Sequence, residues 1–301
     1  MRSVVAPDHV CIYKNDHLSD TMKFFHEIED FIKNREPVII DFSGCASMTA
    51  AAAVMTFAKI TRYQLMADNA AMKSGHQALK IQLPSDKAVR DFFRSTGFYD
   101  AIRPGGRSKL ERLWNDIHNP FKTSNSVAPD IPTLLKHLKA RLGKVPGRLM
   151  SALGEGYLNI NHHAYSKELA DDLYGRWWQY TTSVKSNGTF SVILYDAGMG
   201  IPASLEQKIR ENRWYSATDN QIIEYAMTRG NTRLPDNLGR GNGFNNIKQP
   251  VDVNKQAKHL FIASGRGMVT YQDQQIVNSE VLTNYRYGGT LIEWCFDGDM
   301  K

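Results

Sequence analysis

Apolar positions in the first third of the chain follow two periods. Met22, Phe25, Ile28, Phe31 and Ile32 recur at three- and four-residue steps, which predicts an amphipathic helix over residues 19–33. Residues 37–42, Pro-Val-Ile-Ile-Asp-Phe, are almost wholly apolar, as in a strand buried on both faces. Ser43-Gly44-Cys45 reads as a turn and 49–65 as a helix, whose alanines at 50–53 permit close packing on a sheet. Residues 79–83 alternate like a second strand. Pro84 ends it, Ser85 is placed to cap a helix over 86–96, and Gly97 stops that helix. This strand–helix rhythm predicts a small α/β unit over residues 1–105.

Beyond it the pattern changes. Asn115, Asn119-Pro120, Thr123-Ser-Asn-Ser126 and Pro129 punctuate a stretch without periodicity, read as an inter-domain connector over 106–128 with one helix near 110–117. Residues 131–142 are helical up to Gly143, and Pro146 suits the first turn of a helix running to about Tyr165. Trp177, Trp178 and Tyr180 lie on a strand before Asn187-Gly188, a hairpin turn, and residues 190–195 form an apolar strand that closes on Asp196. The expected fold class is α/β followed by α+β, with the second domain over 129–301. There is no internal repeat.

Composition narrows the function classes. A chain of 301 residues, 42% hydrophobic and 23% charged, fits two globular domains and excludes disordered or fibrous material. No apolar run reaches the ~20 residues of a membrane helix, and the first residues lack the apolar core of a signal peptide. Cys11, Cys45 and Cys295 lie far apart without metal-ligand spacing. A cytoplasmic protein with free thiols and no membrane partner is therefore expected. The net charge of +6 is concentrated: between Arg103 and Met150 ten Lys or Arg face three Asp or Glu. Such a segment is more often a solvated surface than a nucleic-acid site, so nucleic acid ranks behind a protein partner.

Four stretches carry candidate chemistry. Glu155 and Asn159 share one helix face, where an amide oxygen can hold Mg²⁺ while the carboxylate orients or deprotonates water. Asp196 closes an apolar strand and is followed by Gly198 and Gly200, so a carboxylate that suits an exocyclic amine sits beside backbone open to a flat ligand. Gly239, Gly241 and Gly243 alternate before a helix-like stretch, a loop whose amides can point at phosphates. It lacks the Gly-Lys-Ser/Thr of a P-loop, and no strand immediately precedes it as in a Rossmann turn. Upstream, residues 227–237 are polar and punctuated by Gly and Pro, which suits a mobile lid. Gly289-Thr290 opens a late strand. Each stretch alone is common in structural settings.

Taken in order, Glu155-x-x-x-Asn159, Asp196-x-Gly198-x-Gly200, Gly239-x-Gly241-x-Gly243 and Gly289-Thr290 resemble the four nucleotide-binding motifs of GHKL (Bergerat-fold) ATPases. The resemblance spans about 129–300. It is nearest to anti-sigma-factor kinases, through Glu155 to Tyr165 with His163-Ala-Tyr and through Thr228-Arg-Gly-Asn-Thr-Arg233 running into Gly239. It implies an α/β sandwich, a mixed sheet covered by helices on one face, that binds ATP and Mg²⁺. Glu155 would be the general base and Asn159 the Mg²⁺ ligand. Asp196 would bind the adenine amine, assisted by Gly198, Gly200 and Thr290. Gly239, Gly241 and Gly243 would wrap the phosphates, with Arg240 and Lys248 as further contacts.

In the first domain, Val38-Ile-Ile-Asp-Phe-Ser-Gly44 and Val89-Arg-Asp-Phe-Phe-Arg-Ser-Thr-Gly-Phe98 resemble the central strand and last helix of STAS-like domains. Regulated members carry a phosphorylatable serine in an Asp-Ser-Ser-Gly loop. Here Thr49-Ala50-Ala51-Ala52 stands instead, and an alanine has no hydroxyl to accept phosphate. The domain reads as a docking module. The functional expectation is a nucleotide-controlled regulatory ATPase that meets another protein, or a second copy of itself on binding ATP. The alternatives are a serine/threonine protein kinase of the anti-sigma type acting on a separate protein, and a non-enzymatic nucleotide sensor contacting nucleic acid.

Overall fold

The computed structural model describes residues 1–13, 15–34, 36–69, 79–126, 130–165, 172–182, 188–211, 213–228 and 243–298. The chain forms two compact units of mixed helix and strand, Met1–Thr123 with Trp178–Tyr180, and Ser124–Trp177 with Thr181–Lys301.

In the first unit, β1 (Arg2–Val5), β3 (Val38–Asp41) and β5 (Leu79–Gln82) form a parallel sheet in that order. A shorter parallel pair joins β2 (His9–Val10) to β4 (Ser47–Met48). Parallel neighbours need long crossovers, which α1 (Asn15–Asn34) and α2 (Ala50–Asn69) supply, packed on each other. Ala51, Ala52, Val54, Met55 and Phe57 of α2 are fully buried. β1 leaves no sequence signature, because only Val4 of its four residues is buried.

The helix after β5 is α3 (Lys87–Ser95), and its cap is Asp86 rather than Ser85: Val89 N donates to Asp86 Oδ1 at 2.9 Å. Gly97 ends it at φ +75°, and α4 (Phe98–Ile102) follows directly. Phe42, Phe93 and Phe98 meet edge to face, the last two 4.9 Å apart between ring centres.

Residues 106–128, expected as a connector, hold a helix and a strand, α5 (Gly106–Asn115) and β6 (Phe121–Ser124). Periodicity fails there because lysines occupy inward positions. Lys109 Nζ, fully buried, donates to Gln64 Oε1 at 2.7 Å and to Ala101 O at 2.8 Å. Lys122 Nζ closes the end of α5 on the carbonyls of Leu113, Trp114 and Asp116, and burial pushes its amine down to about 8. Two charges of the basic segment therefore serve the fold, not a polyanion. β6 neighbours β7 (Trp177–Thr181), and Phe121 stacks on Tyr180 at 4.1 Å.

The second unit contains α6 (Ile131–Leu142), capped by Asp130, and α7 (Leu149–Asn159). The helix expected to start at Pro146 starts at Leu149. It ends at Asn159, where a π-helical turn, Ile160–Ala164, takes over. The sheet places β8 (Thr189–Asp196), β12 (Thr290–Asp297), β9 (Ala257–Ser264), β10 (Gly267–Gln272) and β11 (Gln275–Val281) side by side in that order, every pair antiparallel. β8 and β9 thus run in one direction with β12 between them. The chain travels from one to the other through α8 (Gly200–Ser204), α9 (Glu206–Glu211), α10 (Asp219–Met227) and α11 (Gly243–Val253).

Residues opposite one another in a ladder share a face, and three helices meet the same one. On it, Leu194 lies under Gly156 of α7, Trp294 Nε1 donates to Ile247 O of α11 at 2.7 Å, and Gly267 touches the backbone of α10 at Asn220. This face ends in a row across four strands, Asp196, Thr290, Ser264 and Gly267.

Candidate functional site

β8 closes on Asp196, 4% exposed, because its apolar run buries the strand to its last residue. Its Oδ1 accepts from Gly198 N at 2.8 Å, and Thr290 stands directly opposite it in the ladder. Burial nonetheless pushes the carboxyl up to about 7, with the Gly198 bond and the neighbouring Thr290 opposing the rise. Asp196 is therefore poised to change charge near neutrality.

The backbone around it is crowded. A Cβ on Gly198 would lie 2.2 Å from Ala164 O, the carbonyl at the end of the π-helical turn, which also accepts from Met199 N at 2.7 Å. Tyr165, just beyond, accepts from Ala197 N at 3.0 Å and donates to Arg176 O at 2.6 Å. The wider π turn thus presents a carbonyl and a phenol to the loop after β8, and such turns recur at functional sites. Gly200 takes φ +83°, and Gly289 takes φ +122° against Asp196 O, where a Cβ would come within 2.0 Å. Only glycine fits both demands at 289.

We expect Gly198→Ala to force the loop off the π turn, costing about 2–3 kcal/mol of stability. Urea unfolding is the measurement, and an unchanged midpoint would show the contact to be soft.

Asp196, Gly198, Gly200 and Thr290 lie together at this end of the sheet. Glu155 and Asn159, half-buried on α7, belong to a second group. A Cβ on Gly243 would lie 2.6 Å from Glu155 Oε1, so the first residue of α11 rests against that carboxylate. Asn159 is the last α-helical residue before the π turn. Gly239, Arg240 and Gly241 lie outside the described residues, as does the lid stretch from 229. Lys248 has its ammonium 5.4 Å from the centre of the Tyr271 ring.

The sequence reading missed Ser264. Fully buried at the end of β9, it accepts from Ile201 N at 2.8 Å, donates to Gly289 O at 2.9 Å and lies 3.2 Å from Thr290 Oγ1. Its one trace is a polar residue closing the apolar run Leu260-Phe-Ile-Ala263.

Comparison of the chain with protein-family models and with curated proteins finds no match. Among the described residues no helix is long and apolar enough to cross a membrane, and no group of three or more His, Cys, Asp or Glu is placed to hold a metal.

A buried acceptor, a hydroxyl beside it and close-set backbone suit a flat ligand with an exocyclic amine. The carboxylate and amide oxygens of Glu155 and Asn159, one helical turn apart, are hard donors that suit Mg²⁺.

Proposed function

We propose that residues 129–301 form a GHKL-type (Bergerat-fold) ATP-binding and ATP-hydrolysing module, fused to a STAS-like docking domain over 1–105, and that nucleotide occupancy controls a protein partner. The observation that carries this reading is the row Asp196–Thr290–Ser264 at the end of the helix-bearing face, with Gly198 and Gly200 folded against it. The meeting of Glu155 with Gly243 at the start of α11 supports it independently.

In this reading each residue has one task. Asp196 accepts the exocyclic amine of the base, and Thr290 shares that end of the site. The amides at the start of α11 face the phosphates, because the first N–H groups of a helix lack internal partners and carry the positive end of its dipole. Asn159 would hold Mg²⁺ through its amide oxygen, and the ion would supply positive charge beside the phosphates. Glu155 takes the proton from the attacking water, leaving hydroxide character on its oxygen.

The test uses γ-labelled ATP with Mg²⁺ on the full chain and on Glu155→Ala and Asp196→Asn, following free phosphate and protein-bound label separately. Proteins encoded beside its gene are added in parallel. Free phosphate that both substitutions abolish supports the ATPase. Label on an added protein identifies a kinase using the same Glu155. A wild type that neither binds nor turns over ATP overturns the reading.

A further inference from the structure

Ser264 holds three neighbours with one hydroxyl. Its oxygen accepts from Ile201 N at 2.8 Å and its proton goes to Gly289 O at 2.9 Å. Thr290 Oγ1 lies 3.2 Å away. With the Ser264 proton given to Gly289, that contact forms only when Thr290 donates. Thr290 stands directly opposite Asp196 as well as Ser264 in the two ladders, so the same hydroxyl can turn to the Asp196 carboxyl instead. A hydroxyl has one proton, so Ser264 and Asp196 compete for it.

We propose that Ser264 is a positioning residue of this site: it ties the start of α8 to Gly289 and draws the Thr290 proton away from Asp196, leaving a carboxylate oxygen open to an amine of the ligand. The ligand half of this statement rests on the nucleotide reading; the proton competition does not. In the ionised carboxylate every oxygen lone pair left unfilled by the protein is available to a donor. A Thr290 hydroxyl turned fully onto Asp196 would fill one of them.

The titratable groups on the helices and turn around this end of the sheet are Glu155 and Tyr157 on α7, His162 and His163 in the π turn, Tyr165 after it, Asp219, Glu224 and Tyr225 on α10, and Lys248 and Asp252 on α11. Tyr165 bonds Ala197 N and Arg176 O, and Asp219 accepts from Arg266 N. Burial raises the Asp196 carboxyl, and the Gly198 bond and the neighbouring Thr290 lower it.

The experiment follows the Asp196 carboxyl by NMR in ligand-free, isotopically aspartate-labelled protein across roughly pH 4 to 9. The signal is identified by its loss in Asp196→Asn. Ser264→Ala is expected to move the midpoint down by roughly half a pH unit, because Thr290 then donates to Asp196 alone. Thr290→Val is expected to move it up, and adding Ser264→Ala to that variant changes nothing further. A purely structural role for Ser264 would leave the midpoint in place. An unmoved midpoint in Ser264→Ala, or a shift by Ser264→Ala that persists without the Thr290 hydroxyl, overturns the competition.

In the same samples ATP affinity in the ionised range is expected to fall about threefold to tenfold in Ser264→Ala. Unchanged affinity overturns the ligand half. If wild type binds no ATP, the nucleotide reading fails while the midpoint still decides the competition. Should Ser264→Ala not fold, Ser264→Cys, a weak acceptor, carries the same expectation.

Discussion

Asp196→Asn is expected to weaken ATP binding by about a hundredfold and, in the same protein, to stabilise the fold above neutral pH. The first effect follows because the amide presents N–H groups, or a weaker neutral acceptor, where the ligand amine needs a carboxylate. The second follows from burial. The carboxyl is pushed from its ordinary 3.8 to about 7 in the folded chain. Between those values the native state holds a proton that the unfolded chain has released. Wild-type stability therefore falls as pH rises through that window, and the penalty is complete above it. Asn has no such slope. A rise of about three pH units corresponds to about 4 kcal/mol. Asn also gives up an acceptor for one of its donors, which reduces the net gain to about 1–2 kcal/mol in the alkaline range. Urea unfolding at about pH 5 and about pH 8 checks this. A variant destabilised equally at both values would mean that the carboxyl does not titrate in the window. Wild-type ATP affinity should likewise weaken as pH falls below about 7, as the carboxylate acquires its proton.

This coupling of a site to a stability cost explains why part of the molecule was legible from sequence. Strand β8 is buried over all but its first residue and β3 has no exposed residue, and such burial writes a nearly uninterrupted apolar run. Asp196, which ends the β8 run, is conspicuous because a carboxyl stands out against an otherwise apolar strand. Gly198, Gly200 and Gly289 were visible for the same reason, being backbone approaches that a side chain would block.

Other features leave no local trace. β1 pairs through its backbone with only Val4 turned inward, and β11, an edge strand, carries exposed Ile276, Val277 and Val281. Strands β9 to β11 were not delineated at all. Lys109 and Lys122 read as surface charge, since only the fold brings the carbonyls they hold to one place. Ser264 meets Gly289 and Ile201 across 25 and 63 residues. No spacing rule spans such separations. The π turn was read as the continuation of a helix because its residues fit either geometry.

Glu155→Gln is expected to lower the turnover number by about a hundredfold to ten-thousandfold while leaving ATP affinity within about threefold. Gln keeps the size of Glu and its packing against Gly243 but cannot take a proton from water. A carboxylate at the start of a helix can also be purely structural, since it complements the dipole by about 0.3–1 kcal/mol. That role would show as a small loss of stability with turnover untouched. Gly243→Ala separates position from charge. Its Cβ would crowd Glu155 Oε1 at 2.6 Å and shift the carboxylate without removing it. Turnover should then fall less than in Glu155→Gln, by about tenfold, because a base displaced from its proton loses reach, not basicity. Phosphate release under saturating ATP measures both variants. Full turnover in Glu155→Gln would remove Glu155 from the chemistry and leave it as a partner of the α11 terminus. Loss in Gly243→Ala equal to that in Glu155→Gln would mean instead that the start of α11 contributes more than the carboxylate it touches.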